Sequence, residues 1–236
     1  MNSTVFPYHI FPLGDSAITI DFGNIINEAV NNEVIARFNE LTHEPLAGMI
    51  EAIPAYSSLT IYYDVVKVRK GISDGKTAFE AIKLQVEKRL MQPVQQNDIP
   101  ERLIKIPVCY EKEYAFDMPQ LTAKKNISAE EVIQIHISKD YRVYMLGFLP
   151  GFAYLGEVDE RIAFPRKPQP VTVLPGSVGI AGRQTGIYPF ASPGGWAIIG
   201  RTPLKLFDAD KEEPTLIKAA DRVQFYSITK DEFKSY

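Results

Sequence analysis

The sequence predicts two domains of different class, an α+β unit followed by a mainly β unit. Three observations predict this. Up to about residue 95 the hydrophobic pattern switches between a period of two and a period of 3.6. Beyond Glu101 helix signals thin out, and short apolar runs separated by turn residues take over. Between the two lies the polar stretch Gln92-Pro93-Val94-Gln95-Gln96-Asn97-Asp98, which reads as a connection. The expected domains are residues 1–95 and 101–236.

Each element has its own signal. Ile18, Ile20 and Phe22 alternate with Thr19 and Asp21, a strand. From Ile26 the residues Val30, Val34, Phe38 and Leu41 form a helical stripe. Strands return at Met49 to Ile53 and at Leu59 to Tyr63, and Phe79, Ile82, Val86 and Leu90 mark a second amphipathic helix. Read as β-α-β-β-α-β, this is the ferredoxin-like split arrangement. In the second half, Leu103 to Val108 is apolar enough for a strand. Ser128-Ala129-Glu130-Glu131 reads as a capping box opening a helix from about Ala129 to Ile137. Short apolar runs follow at Val143 to Leu146, Val171 to Leu174, Val178 to Ala181, Ala197 to Ile199 and Val223 to Tyr226. They indicate an antiparallel barrel or sandwich.

Composition excludes several functions. Of 236 residues, 45% are hydrophobic and 23% charged, the balance of an ordinary soluble globular protein. A net charge of −3 offers no basic footprint for nucleic acid. No apolar stretch has the length of a membrane span, and the start Met1-Asn2-Ser3-Thr4 is too polar for a signal peptide. The single Cys109 excludes an internal disulfide and fits a reducing cytoplasm. His9, His43, His136 and one cysteine do not point to a zinc site, and no Asp/Glu cluster points to magnesium. Gly71-Ile72-Ser73-Asp74-Gly75-Lys76-Thr77 has three residues between its glycines where a phosphate loop needs four. Asp74 capping the next helix explains it sufficiently.

The informative stretch is Met145 to Phe207. It holds Gly147-Phe148-Leu149-Pro150-Gly151-Phe152-Ala153-Tyr154-Leu155, Pro165-Arg166, Gln184-Thr185-Gly186-Ile187-Tyr188-Pro189, Ser192-Pro193-Gly194-Gly195-Trp196 and Gly200-Arg201-Thr202-Pro203. Glycine and proline make stiff turns that aim aromatic and cationic side chains at one place. Arg166 and Arg201 each sit beside a proline among apolar neighbours, where a guanidinium needs an anionic partner or an aromatic face. The partner is a ligand carboxylate or phosphate, or else a structural aspartate such as Asp159 or Asp208. Gln184 and Tyr188 can orient a lactam or ureide, though Gln184 can equally tie a loop to the backbone. Pro193-Gly194-Gly195 is either an anion-binding concavity or a tight turn. Trp196, Phe148, Phe152 and Tyr154 read as pocket wall and core rather than cofactor stackers. His136, near a helix end, is either a satisfied structural histidine or the proton-transfer group. No Gly-x-Ser-x-Gly elbow occurs, and Cys109 has no histidine near it in sequence, so an autonomous covalent hydrolase is not supported.

These motifs resemble the family of the 5-oxoprolinase B subunit, which includes the sporulation-kinase inhibitor KipI and the allophanate-hydrolase subunit 1 type of carboxyltransferase domain. Pro12-Leu13-Gly14-Asp15-Ser16-Ala17, Glu51 to Leu59, and Ile106-Pro107-Val108-Cys109-Tyr110 carry the resemblance in the first part. His136, Tyr141, Gly147 to Leu155, Gly182 to Pro189 and Ser192 to Arg201 carry it in the second. Two positions depart from it. Pro170-Val171 stands where the family has Pro-Arg, and Glu111-Lys112 replaces a glycine pair.

The resemblance implies a ferredoxin-like first domain and a cyclophilin-like β-barrel second domain. It implies an ATP-dependent enzyme subunit that opens 5-oxoproline to glutamate together with A and C subunits, and that is inactive alone. Alternatives are an inhibitor that docks on a histidine kinase, and a carboxyltransferase-type subunit acting on urea derivatives. The expected site gathers His136 as the proton-transfer group with Tyr141, Arg166, Gln184, Tyr188 and Arg201 around a small cyclic amide or ureide. Gly151, Phe152, Gly194, Gly195 and Trp196 rim it. ATP is expected as co-substrate of the assembled enzyme, and no metal.

Overall fold

The computed structural model describes residues 6–71, 75–94 and 102–236. The chain divides into two compact units, residues 1–99 and 100–236. The expected connection falls mainly on residues 95–101, which lie outside the described residues, as does Asp74.

In the first unit, β1 (His9–Pro12) and β2 (Ala17–Asp21) form a hairpin across Gly14, whose φ of 64° suits a residue without Cβ. Helix α1 (Glu28–His43) starts at Asn27, whose side chain accepts from the Val30 N–H at 3.1 Å. Strands β3 (Met49–Pro54) and β4 (Ser58–Tyr63) pair antiparallel. Helices α2 (Val65–Lys70) and α3 (Ala78–Leu90) follow. Thr77 and Glu80 form the capping box that opens α3, with Thr77 as its N-cap. The sheet runs β1-β2-β4-β3, and Ile18, Ile20, Leu59, Ile61 and Tyr63 pack with Val34, Ile82 and Val86.

The expected β-α-β-β-α-β order is corrected in one respect. The run β2-α1-β3-β4-α3 follows it, but among the described residues no strand follows α3 in this unit. The N-terminal β1 instead pairs with β2 at the sheet edge. A short hairpin needs only a tight turn, whereas a returning strand needs a longer connection. The C-terminus of α3 is closed from α1. Buried Arg37 donates to Arg89 O at 3.0 Å and Gln92 O at 2.9 Å, while Glu33 neutralises it at 2.8 Å.

The second unit is built on β5 (Leu103–Cys109), α4 (Met118–Lys125), α5 (Ala129–Ile137), β6 (Asp140–Leu146) and β7 (Ala153–Gly156). Then come β8 (Val171–Val173), β9 (Ser177–Ala181), β10 (Gln184–Ile187), β11 (Ser192–Gly194), β12 (Ala197–Arg201), β13 (Arg222–Ile228) and α6 (Lys230–Lys234). Seven strands close a barrel in the order β10-β7-β6-β13-β5-β12-β9. The wholly antiparallel expectation is corrected at one seam: β13 runs parallel to β5 from Arg222↔Leu103 to Ile228↔Cys109. Ser128 caps α5 through the Glu131 N–H at 3.1 Å, without the return bond of a full capping box. The barrel interior is Val108, Tyr141, Val143, Leu155, Val178, Ile180, Ile187, Ile199, Val223 and Phe225. Strands β8 and β11 form a separate two-stranded ribbon.

Candidate functional site

Period-two alternation decides which residues meet. On β7, Ala153 and Leu155 enter the barrel core, while Tyr154, and Phe152 just before the strand, turn outward. On β9 and β12 the same rule sends Ala181 and Ile198 outward, and Trp196, just before β12, joins them. Phe152, Tyr188 and Trp196 thus form an aromatic layer on the barrel's outer wall. Phe152 lies 5.1 Å from Tyr188 and 5.5 Å from Trp196, both edge to face. Gly186 of β10 makes room for it, because a Cβ there would stand 3.0 Å from the Trp196 ring.

The ribbon covers part of this layer. A Cβ on Gly194 would lie 2.8 Å from the Tyr188 hydroxyl and 3.0 Å from Val173. Burial raises the Tyr188 phenol above its ordinary range, although the nearby Trp196 backbone N–H favours the ionised form. At the rim, Phe148 stands 5.6 Å from Phe152 and 6.4 Å from Tyr188, mostly exposed and held at φ 68°. A bulky residue in that left-handed region is strained. The turn is fixed by Gly147 N–H to Phe152 O at 3.1 Å and by Gly151, at φ 80°, seated against Leu206 and Phe207.

Arg166 provides the charge. Its guanidinium carbon is 6.0 Å from the centre of the Trp196 ring, and the side chain is exposed. Its charge acts on the Tyr154 and Tyr188 hydroxyls, partly opposing the effect of burial. Among the described residues it makes no ion pair; Asp159 is taken by Arg161 and Asp208 by Lys205. The next residue anchors it. Lys167 N–H donates to Gly195 O at 2.7 Å, and Lys167 Nζ pairs with Asp117 at 2.6 Å. Asp117 also accepts from the Ile198 N–H at 2.7 Å.

The structure therefore brings Arg166, Tyr188, Phe152, Gly194 and Trp196 together, with the Gly151 turn at the rim and Gly195 as backbone anchor. Gln184 shares the outer face of β10 with Gly186, at the strand's far end. Val171, in the family's arginine position, sits on β8 opposite Gly194.

Three expected members are elsewhere. His136 is buried inside the barrel, stacked on Phe225 at 4.5 Å. Thr185 donates its hydroxyl proton to Gly179 O at 3.1 Å, so it accepts from His136 Nε2–H at 3.0 Å. Nδ1 then accepts from Tyr110 at 2.8 Å. Burial pushes the His136 pKa down to about 3, so the ring is neutral. Tyr141 is also core; its hydroxyl donates to His136 O at 2.8 Å, and burial pushes its pKa well up. Arg201 ends β12 while Trp196 immediately precedes its start, about 16 Å away along the extended chain. Its Nε donates to Pro175 O at 2.7 Å and its guanidinium faces Phe233 at 5.7 Å. The single cavity joining His136, Tyr141 and Arg201 to Arg166 is thus corrected: the barrel wall and the length of β12 separate them. For Pro193-Gly194-Gly195, expected as either an anion-binding concavity or a tight turn, the structure shows extended backbone over Ser192–Gly194, in β11.

Two residues of this region carry no clear signal in the sequence. Asp117 belongs to no motif, and Ser192 lies in a stretch whose glycines and prolines read as a turn. Among the described residues, no group of three or more His, Cys, Asp or Glu side chains is placed to hold a metal. Nor is any helix long and apolar enough to cross a membrane.

The barrel carries an outer aromatic wall with Arg166 beside it, and comparison assigns the family of the chain. Residues 8–217 match the family described as carboxyltransferase domain, subdomain C and D, and the chain belongs to that family. It is similar to a Bacillus subtilis protein named as the B subunit of 5-oxoprolinase, 46% identical over 97% of this chain and 96% of that protein. A urea amidolyase of Lachancea kluyveri is 25% identical over 94% of this chain and 13% of its own length. The solved structure of TTHA0988 superposes with a TM-score of 0.76 at 33% identity, covering 90% of this chain. This chain spans only 40% of that solved chain.

Proposed function

We propose that this chain is the B subunit of an ATP-dependent 5-oxoprolinase, working in the cytoplasm with A and C subunits to open 5-oxo-L-proline to L-glutamate. The 46% identity to a protein of that name, over nearly the whole of both chains, supports the enzyme. The observation that carries the site is Arg166, an exposed guanidinium without a carboxylate partner among the described residues, fixed over Trp196. A guanidinium fork fits a carboxylate, and the aromatic layer offers a wall for a small flat ring. ATP supplies the driving force by phosphorylating the amide oxygen. ADP leaves, one water attacks the activated carbon as the C–N bond breaks to give a γ-glutamyl phosphate, and a second water hydrolyses this acyl phosphate to glutamate and phosphate. Arg166 holds the substrate anion during these steps. His136 takes no direct part, being neutral and sealed in the core. The nucleotide site and the water-activating group come from partner subunits. The test is glutamate formation from 5-oxoproline and ATP, with and without co-expressed partners.

A second reading, a carboxyltransferase-type subunit acting on a urea derivative, is favoured by the family description and the urea amidolyase relative. Urea carries no carboxylate. Turnover of a urea derivative that is indifferent to Arg166→Ala, with none of 5-oxoproline, would favour it.

A further inference from the structure

Ser192 Oγ is the one buried side-chain polar atom without a hydrogen-bond partner among the described residues. Its direction follows from the ribbon. Ser192 pairs with Val173, and paired residues share a face. Val173 packs with Phe152, Tyr188 and Trp196. Gly194, two residues on and on the same face, abuts the Tyr188 hydroxyl. The Ser192 hydroxyl is therefore turned toward the aromatic layer whose phenols feel the charge of Arg166. An unsatisfied buried hydroxyl is costly to keep, and native structures hold few without a reason. Hydrophobic neighbours and a backbone already paired with β8 provide no structural reason for a hydroxyl here.

We propose that Ser192 is a binding residue of this outer-wall site. Its hydroxyl hydrogen-bonds the amide group of a small cyclic amide whose carboxylate is taken by Arg166. This rests on the reading of Arg166 and Trp196 as the ligand site. The two groups divide the ligand between them: a charged fork for the anion and one rotatable neutral group for the amide. The β8–β11 ribbon is thereby a specificity element and not only a cover.

The test is titration of 5-oxo-L-proline, and of 2-pyrrolidone, which lacks the carboxylate, into the full chain assembled with its partner subunits. Ser192→Ala is expected to weaken both probes about five- to tenfold, the loss of one neutral hydrogen bond. Ser192→Thr keeps the hydroxyl and should stay within about twofold. Arg166→Ala should weaken 5-oxoproline alone. Because the hydroxyl has no partner in the protein, Ser192→Ala should not lower the melting temperature of the unliganded chain. Unchanged affinity in Ser192→Ala with loss in Arg166→Ala overturns the Ser192 assignment only. Equal loss in the Ala and Thr variants, with a lowered melting temperature, makes the residue structural and also overturns it. Indifference to Arg166→Ala overturns the site reading itself, and failure of the unmodified assembly to bind either probe overturns both.

Discussion

Thr185 and Gly186 are adjacent on β10 and face opposite sides of the barrel wall. Thr185 holds His136 Nε2 at 3.0 Å on the inside, and Gly186 gives its outer surface to Trp196. One strand thus separates the residue that best fitted an acid–base role in the sequence from the aromatic layer that carries the exposed charge. The arrangement makes His136 a linchpin of the core: both ring nitrogens are satisfied only when the ring is neutral.

That neutrality has a pH signature. The folded His136 pKa is about 3, against 6.5 for the ordinary group. A depressed folded pKa contributes stability that is complete above 6.5 and lost as pH falls toward 3, because the unfolded chain takes up a proton that the folded one refuses. Burial pushes Tyr110 and Tyr141 upward, so neither titrates in this window. Between pH 7 and 5 the histidine alone should cost about 2 kcal/mol of stability. His136→Gln should lower stability at pH 7 by about 1–3 kcal/mol through its broken buried hydrogen bonds. Its further loss from pH 7 to 5 should be smaller than the wild type's by about 2 kcal/mol. Urea unfolding at the two pH values checks this; equal acid losses in both proteins contradict it.

The two arginines should behave oppositely. Arg166 is exposed and unpaired among the described residues, so Arg166→Ala should change stability by less than about 0.5 kcal/mol. It should weaken an anionic ligand by about 1.5–3 kcal/mol. Arg201 ties Pro175 O to β12 and packs over Phe233, so Arg201→Ala should cost roughly 0.5–1.5 kcal/mol of stability and leave binding intact. Thermal unfolding and calorimetric titration of both variants decide the matter. The reverse pattern would return Arg166 to a structural role.

Much of the fold is legible in the sequence because its signals are local. The stripe Val30-Val34-Phe38-Leu41 marks α1, and Ser128 places the start of α5 at Ala129. What stays hidden is non-local. The parallel seam between β5 and β13 joins residues more than a hundred apart, and no periodicity encodes it. Strands β10 and β11 are rich in glycine and proline and so read as turns, although their glycines make space for Trp196 and Tyr188. The site is half legible for the same reason. Arg166 and Trp196 stand out by type, but the sidedness that removes His136 and Tyr141 depends on strand register, and Arg201 on the length of β12.

Asp117 should matter without touching ligand. It pairs with Lys167 at 2.6 Å and accepts from the Ile198 N–H at 2.7 Å, fixing the segment that carries Arg166 over Trp196. Asp117→Asn should cost about 1–3 kcal/mol of stability by weakening a charged hydrogen bond. It should also raise the KM for an anionic substrate more than it lowers kcat. An unchanged KM in a destabilised variant would confine Asp117 to folding.

The two compact units predict separable folding. Residues 1–92 and 101–236, expressed apart, should each give dispersed amide spectra, since each has its own core. Collapsed spectra from both fragments, with a dispersed spectrum from the intact chain, would show that the units depend on each other.

In the proposed enzyme, the barrel's outer wall binds the anionic substrate through Arg166 and partner subunits complete the active site. The most direct measurement is ATP-dependent glutamate formation from 5-oxoproline by this chain, alone and co-assembled with partners, in wild-type and Arg166→Ala forms. The chain alone should show no turnover, and the assembly should turn over. Arg166→Ala should lower kcat/KM at least tenfold, as about 1.5 kcal/mol of lost binding requires. Sustained turnover by the isolated chain, or an Arg166→Ala assembly as active as the wild type, would contradict this proposal.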